Sequence, residues 1–115
     1  KRKRAISEAT SAKLRKILRQ VVVDGTCRVA NIPEYKIAGK TGTALKVKNG
    51  KYVWDKTLSS FIGFAPLEDP RIVVLVSLDE PTGAQYGGTV AGPAVTEVIR
   101  RTLDYLGVPR ANDTE

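Results

Sequence analysis

The dipeptide Asn49-Gly50 lies between two short segments in which apolar and polar residues alternate. The segment before it reads Leu45-Lys46-Val47-Lys48, and the segment after it runs from Lys51 to Trp54. Asn-Gly favours a two-residue turn with positive φ at both positions, and the twist of that turn matches the twist of antiparallel strands. The pattern therefore predicts a β-hairpin in which residues 51–54 form a short partner strand.

Two further strands are predicted downstream, at residues 58–65 and 71–78, and a loop with a proline at each end joins them. The second strand contains the run Ile72-Val73-Val74-Leu75-Val76, which is apolar at every position. Strands covered on both faces have this composition, whereas strands with one face in water alternate. We therefore expect cover on both faces of this strand and do not expect it at an edge of the sheet.

Amphipathic helices are predicted on both sides of these strands. The first has Ser7 as its N-cap candidate, and its apolar residues recur at helical spacing until Gly25 ends the pattern. The last helix begins between residues 89 and 93 and ends at Gly107. The order helix, antiparallel strands, helix predicts an α+β fold, with helices packed on an antiparallel sheet.

The segment Lys40-Thr41-Gly42-Thr43 combines an ammonium group, two hydroxyls and a glycine backbone, which together suit an anion. Alternating residues flank it, so we place it inside a strand rather than in a phosphate-binding loop, whose lysine would open a helix. Strict alternation puts Lys40 on one face and Thr41 and Thr43 on the other. A bulge or twist near Gly42 is expected to re-aim one of them.

Three blocks in chain order carry a resemblance to a known family. They are Ile37-Ala38-Gly39-Lys40-Thr41-Gly42-Thr43-Ala44, Ser60-Phe61-Ile62-Gly63-Phe64-Ala65-Pro66 and Tyr86-Gly87-Gly88-Thr89-Val90-Ala91-Gly92-Pro93. Together they resemble the C-terminal end of class B penicillin-binding proteins, the monofunctional transpeptidases that crosslink peptidoglycan, and are nearest to the division-specific group. The resemblance implies that residues 1–109 are the C-terminal portion of a transpeptidase domain with a serine β-lactamase-like fold. Residues 110–115 are expected to be a frayed polar tail.

The resemblance also implies roles for the Lys-Thr-Gly segment. Lys40 would hydrogen-bond the serine of a Ser-x-Asn motif and keep the pocket electropositive, while Thr41 and Thr43 contact the carboxylate of a D-Ala-D-Ala peptide or of a β-lactam. The backbone N–H of Thr43 would form part of the oxyanion hole. Lys40 and Thr43 are thus the predicted catalytic residues, and Lys40, Thr41, Gly42 and Thr43 are the predicted substrate-binding residues. No cofactor and no metal are implied.

The chain contains no Ser-x-x-Lys and no Ser-x-Asn motif. The nucleophile and its base are therefore expected in sequence upstream of Lys1, and the isolated chain is expected to be inactive. The implied partners are the upstream part of the same domain, division-machinery proteins and glycan polymerases, at the bacterial inner membrane with this region on its outer side. Two alternatives stay open: a carboxypeptidase or β-lactamase type hydrolase, and a non-catalytic penicillin sensor.

Other features indicate little about function. The net charge of +7 suggests nucleic acid, but the basic residues are scattered and the aromatic residues do not alternate with them, so no nucleic-acid partner is predicted. Cys27, the single cysteine, is interpreted as a small, partly buried side chain. Tyr52 and Trp54 either line a groove near the hairpin or pack in a core or rim, and packing is the interpretation favoured. The glycines of Tyr86-Gly87-Gly88 are explained equally well by a turn or by the wall of a cleft.

Overall fold

The structure, a computed structural model, describes residues 1–113. Its strands form one antiparallel sheet in the order β1-β2-β3, and the helices pack on that sheet, which confirms the α+β prediction. Two short 3₁₀ turns occur at Arg28–Ala30 and Ala111–Asp113. The elements are α1 (Glu8–Val23), β1 (Ala38–Lys48), β2 (Lys51–Ala65), β3 (Ile72–Asp79), α2 (Gly87–Val90) and α3 (Gly92–Tyr105).

The helix α1 begins and ends where its sequence predicts. The Ser7 hydroxyl accepts a hydrogen bond from the Thr10 N–H at 3.1 Å, which satisfies one of the free donors of the first turn. Further along the helix, the Arg19 guanidinium donates to the Ile37 carbonyl at 2.7 Å and to the Asn31 side chain at 2.8 Å. Arg19 therefore ties α1 to the residue that precedes β1. Within residues 1–113, no helix is both long and apolar enough to span a bilayer.

The β1–β2 hairpin closes through Asn49 and Gly50, whose φ angles are 52° and 74°, as the predicted turn requires. The prediction of two separate strands at 51–54 and 58–65 is wrong, because β2 continues from Lys51 to Ala65. The register opposite it jumps, with Lys46 facing Val53 and Leu45 facing Thr57. Residues 54–56 therefore form a bulge that bends the strand without ending it.

The strand β3 alternates between half-buried and exposed residues along its whole length. On one face Val74 and Val76 pack against the core, and on the other the side chains of Val73 and Leu75 are 64% and 61% exposed. The prediction of cover on both faces is therefore wrong for the described chain, in which β3 is the outer strand of the sheet. The helix α3 covers one face of β3. The other face, which carries Val73 and Leu75, is open.

The core lies between the sheet and α3. Phe61 of β2 is fully buried, as are the α3 side chains of Val95, Ile99 and Leu103. Burying side chains of this size stabilises the fold by roughly 1.5–3 kcal/mol each. The helix α1 covers the opposite face of the sheet near Phe64, where Leu14 and Leu18 line a cavity of about 480 Å³.

The C-terminal segment is tied to the core through Asp104. The Tyr35 hydroxyl donates to Asp104 at 2.8 Å, and the Arg110 guanidinium donates to it at 2.7 Å. These two donors, Arg110 first, lower the pKa of Asp104 to about 2. The N–H of Ala111 also donates to the Glu34 carbonyl at 2.8 Å. The prediction that the tail frays is therefore wrong for residues 110–113, and residues 114 and 115 lie outside the described residues.

Candidate functional site

The Lys-Thr-Gly segment lies on β1, which is an edge strand because β2 pairs with it on one side only. The pairing runs without interruption from Ala38 opposite Phe64 to Leu45 opposite Thr57. The expected bulge near Gly42 is therefore absent from this stretch, and the register shift lies after Leu45 instead. Lys40 shares a face with Ile62, and Thr43 shares the opposite face with Ser59.

The length of the Lys40 side chain resolves the conflict that strict alternation creates. Its ammonium group is exposed and donates a hydrogen bond to the carbonyl of Thr41 at 2.8 Å. The side chain therefore folds back over the strand, and its charge lies beside the backbone rather than out over the sheet face. Backbone groups of alternate residues in an edge strand point away from the partner strand, so Thr43 presents its backbone on the same side as Thr41.

Both threonine hydroxyls are held by neighbours from outside the strand. The Thr41 hydroxyl lies 2.8 Å from the hydroxyl of Thr26, in the loop after α1. The Thr43 hydroxyl accepts a hydrogen bond from the Gly87 N–H at 3.1 Å. A hydroxyl that accepts one bond still has its own proton to donate. The arrangement therefore offers an ammonium group and two oriented hydroxyls along one free strand edge, which is the chemistry that a carboxylate needs.

Residues 85–88, which end the loop after β3 and begin α2, dock on the sheet beside this edge. The Ser59 hydroxyl donates to the Gln85 carbonyl, and the Gln85 amide donates to the Asp55 carbonyl at 2.8 Å. A Cβ on Gly87 would lie 2.1 Å from the Ser60 carbonyl oxygen, and one on Gly88 would lie 2.1 Å from the Thr26 carbonyl oxygen. Close backbone approach, and not turn conformation alone, accounts for this pair of glycines.

Sequence reasoning missed two of the residues that hold the site. Thr26 carries no motif that predicts its contact with Thr41, because the two are joined only by the fold. The Gly87-Gly88 dipeptide indicated a turn or the wall of a cleft. It did not indicate that the Gly87 N–H would reach the Thr43 hydroxyl. The roles predicted for Lys40, Thr41, Gly42 and Thr43 in binding and catalysis stay predictions.

Cys27 lies behind the site and is buried. Its sulfur is 3.8 Å from the Gly88 carbonyl oxygen, and a Cβ on Gly92 would lie 2.8 Å from that sulfur. Burial raises the pKa of the Cys27 thiol, which keeps it protonated and weakly nucleophilic. Within residues 1–113, no three His, Cys, Asp or Glu side chains group closely enough to hold a metal ion.

Two cavities of the described residues lie away from the Lys-Thr-Gly strand. One of about 760 Å³ is lined by residues that include Arg19, Lys36, Glu68 and Arg110, beyond the start of β1. The other lies between α1 and the sheet. Neither is lined by residues 40–43. Within residues 1–113 the Lys-Thr-Gly strand is therefore an open edge of the sheet, because β1 has β2 as its single neighbour there.

A Lys-Thr-Gly edge strand, backed by a helix in an α+β fold, is typical of the active-site serine enzymes that react with penicillin. The family model of the penicillin binding protein transpeptidase domain matches residues 1–100. The chain therefore belongs to the penicillin-binding protein transpeptidase family.

Curated relatives agree with this assignment. The chain is 51% identical over 116 residues to stage V sporulation protein D of Bacillus subtilis (strain 168), and the match covers 99% of the chain and 18% of the relative. It is 44% identical over 110 residues to a probable peptidoglycan D,D-transpeptidase, PenA, of Neisseria flavescens, covering 94% of the chain and 28% of that protein. The chain thus spans less than a third of the length of these relatives.

Solved structures share the fold. The transpeptidase domain of Burkholderia pseudomallei penicillin-binding protein 3, without ligand, matches with a TM-score of 0.84 at 43% identity, covering 93% of the chain and 33% of that domain. A Mycobacterium penicillin-binding protein 3 in complex with ampicillin matches with a TM-score of 0.81 at 32% identity, covering 92% of the chain and 26% of that protein. The predicted partial penicillin-binding fold is confirmed.

Proposed function

We propose that the chain supplies the carboxylate-binding edge of a peptidoglycan D,D-transpeptidase active site. The observation that carries the proposal is the free edge of β1, where the exposed Lys40 ammonium donates to the Thr41 carbonyl and the hydroxyls of Thr41 and Thr43 are held by Thr26 and Gly87. The name of the Neisseria relative, a probable peptidoglycan D,D-transpeptidase, supports the reaction class. The ampicillin complex of a structural neighbour supports β-lactams as ligands.

The chemistry follows from the position of these groups on one strand. A stem peptide that ends in D-Ala-D-Ala lies along the free edge of β1 as an added strand, with its terminal carboxylate toward Lys40 and Thr41. The carbonyl of the penultimate residue lies against the N–H of Thr43, which stabilises the oxyanion that forms when a serine attacks. The serine and its base come from residues outside this chain. Serine attack breaks the amide bond to the terminal D-Ala, which leaves as an amine carrying the serine's proton, and an acyl-serine ester remains. The acceptor amine then attacks that ester, forms the new amide bond and returns a proton to the serine oxygen.

We also propose that the open face of the sheet is covered by further residues of the same transpeptidase domain. Val73 and Leu75 are more than half exposed here, and Leu58 and Ile62 of β2 add 44% and 42% exposed side chains to the same face. A contiguous apolar surface of this kind marks a contact surface rather than a face in water. The match to one third of a solved transpeptidase domain is consistent with this cover.

Leu75→Glu in the whole protein tests the proposed cover. The free energy of unfolding is expected to fall by about 2–4 kcal/mol, because a carboxylate would be buried without a partner. Tyr105→Glu is the control, since this last residue of α3 is 90% exposed and a surface change there is expected to stay within about 0.5 kcal/mol. Urea denaturation measures both variants. Equal effects would mean that β3 faces water in the whole protein.

The setting of the whole protein is part of the proposal. Crosslinking of peptidoglycan places this region on the outer side of the bacterial inner membrane, where the division machinery and glycan polymerases meet the same polymer. The net charge of +7 suits a polymer whose stem peptides carry carboxylates.

Penicillin labelling tests the proposed function. The whole protein is expected to bind fluorescent penicillin covalently and to join a pentapeptide donor to an amine acceptor, releasing D-Ala. The 115-residue chain alone is expected to remain unlabelled, because it contains no Ser-x-x-Lys. Release of D-Ala without transfer to an amine would instead indicate a hydrolase. Absence of labelling in the whole protein would refute the acyl-enzyme proposal.

A further inference from the structure

The end of the β1–β2 hairpin carries an exposed aromatic surface that the proposed reaction does not use. Trp54 is 77% exposed, Tyr52 is 65% exposed and Val47 is 61% exposed, so the interpretation of Tyr52 and Trp54 as packing residues is wrong. Val47 and Tyr52 face each other in the register and share one face of the hairpin. Trp54 follows Tyr52 by two residues on the same strand, where the bulge of residues 54–56 begins, so it lies at the same end of the hairpin. These three residues are called the hairpin platform below.

Two lysines adjoin the hairpin platform. Lys48 and Lys51 face each other across the turn, and neither forms an ion pair with any other residue of the described chain. Like charges directly opposite each other on neighbouring strands destabilise a hairpin. By contrast, Lys46 on the same strand pairs with Asp79 and Glu80. Alternation puts Lys48 and Lys51 on the face opposite Val47 and Tyr52, so the tip of the hairpin carries aromatic side chains on one face and, on the other, positive charge that an anionic ligand would neutralise.

The position of the hairpin platform along β1 indicates which ligand this is. In the proposed complex the carboxylate lies near Lys40 and the reacting carbonyl lies at Thr43, so the rest of the stem peptide runs on toward Val47. Four residues of strand separate Thr43 from Val47, which is about 13 Å at the usual rise per residue. A stem peptide of about five residues spans roughly 17 Å when extended. The end of the peptide that is attached to sugar therefore arrives at the hairpin platform.

We infer that the hairpin platform binds the glycan strand of peptidoglycan, an inference that rests on the proposed function. The rings of Trp54 and Tyr52 present large, flat faces with negative partial charge, which suit the C–H groups on the face of a sugar ring. The ammonium groups of Lys48 and Lys51 attract the carboxylates of neighbouring stem peptides. The site thus distinguishes a peptide that is attached to glycan from the same peptide free in solution.

The test compares two donors in the whole protein. One donor is the free pentapeptide, and the other is the same pentapeptide attached to a short glycan of the alternating amino sugars. Trp54→Ala is expected to lower kcat/KM for the glycan-linked donor about tenfold relative to the free donor, and Tyr52→Ser is a second variant with the same expectation. Tyr105→Ala, at an exposed tyrosine on α3, is the control and is expected to leave the ratio of the two rates unchanged.

A competition experiment uses the unmodified protein. Peptide-free glycan oligosaccharide is expected to inhibit use of the glycan-linked donor and to leave the rate of penicillin labelling unchanged. Failure of the glycan to compete would overturn the inference, and so would an unchanged ratio of the two rates in both hairpin variants. Loss of binding to vesicles of anionic phospholipid in Trp54→Ala, with the ratio unchanged, would assign the platform to a membrane surface instead. If penicillin does not label the unmodified protein, the proposed function fails rather than this site.

Discussion

Lys40→Ala in the whole protein is expected to slow acylation by penicillin about 10²- to 10³-fold, the usual effect of removing one such stabilising group from an active site. Lys40 is the cationic residue of the Lys-Thr-Gly segment, and its ammonium lies at the edge of β1 where the carboxylate of the ligand would sit. Alanine removes both the charge and the hydrogen-bond donors. Thr41 and Thr43 would remain, but neutral hydroxyls hold a carboxylate more weakly than an ammonium does.

The fold should survive this change, because the Lys40 side chain is exposed and its hydrogen bond to the Thr41 carbonyl is not part of the β1–β2 pairing. The measurement is the second-order rate of labelling by fluorescent penicillin, together with the melting temperature. Lys36→Ala is the matched control, since Lys36 precedes β1, is exposed and pairs with Glu68 at 3.5 Å. Its labelling rate is expected to stay within about twofold, as for other surface charges. Equal rates for Lys40→Ala and the unmodified protein would remove Lys40 from the site.

Local sequence signals predicted the parts of this fold that depend on neighbours in the chain. The Asn49-Gly50 turn, the Ser7 cap and the strand that carries Lys40 all lie where their patterns predict. Each of these features is decided within a few residues, by positive φ, by a free N–H at a helix start or by alternation.

The errors arose where distant parts of the chain decide the outcome. The sequence of β2 breaks its alternation at residues 54–56, which suggested a gap, but pairing with β1 both before and after these residues keeps the strand continuous. The apolar run of β3 indicated cover on both faces, and the described chain supplies cover for one. No local pattern predicts that Thr26 meets Thr41, because that contact depends on how the loop after α1 passes β1.

The site itself was predictable in composition but not in geometry. The residues of the Lys-Thr-Gly segment were recognisable, yet alternation alone placed Lys40 and Thr43 on opposite faces. The structure keeps that alternation and brings the ammonium to the strand edge through the length of the lysine side chain. A side chain with four rotatable bonds moves its charge by several ångströms at little energetic cost, and strand periodicity does not describe that freedom.

Gly87→Ala is expected to have the largest effect on stability among single changes near the site. The added Cβ would lie 2.1 Å from the Ser60 carbonyl oxygen and 2.5 Å from the Gly42 carbonyl oxygen, and both are backbone atoms of paired strands. The loop must therefore move away from the sheet, at a cost of about 3 kcal/mol by comparison with overpacked cores. The same movement withdraws the Gly87 N–H from the Thr43 hydroxyl, so penicillin labelling should slow about tenfold for loss of roughly one hydrogen bond.

Gly83→Ala is the control for Gly87→Ala. It distinguishes the close approach of Gly87 to the sheet from the general effect of replacing a glycine between β3 and α3. Gly83 has a φ of +83° and no atom within 4 Å of an added Cβ, so alanine there is disfavoured by conformation alone, by about 1–2 kcal/mol. Urea denaturation of the whole protein should therefore rank Gly87→Ala below Gly83→Ala in stability, and only Gly87→Ala should slow labelling. If both variants lose the same stability and label at the same rate, the approach of Gly87 to β1 does not hold Thr43 in position. The ranking follows from geometry, because one glycine is needed for space and the other for its backbone angle.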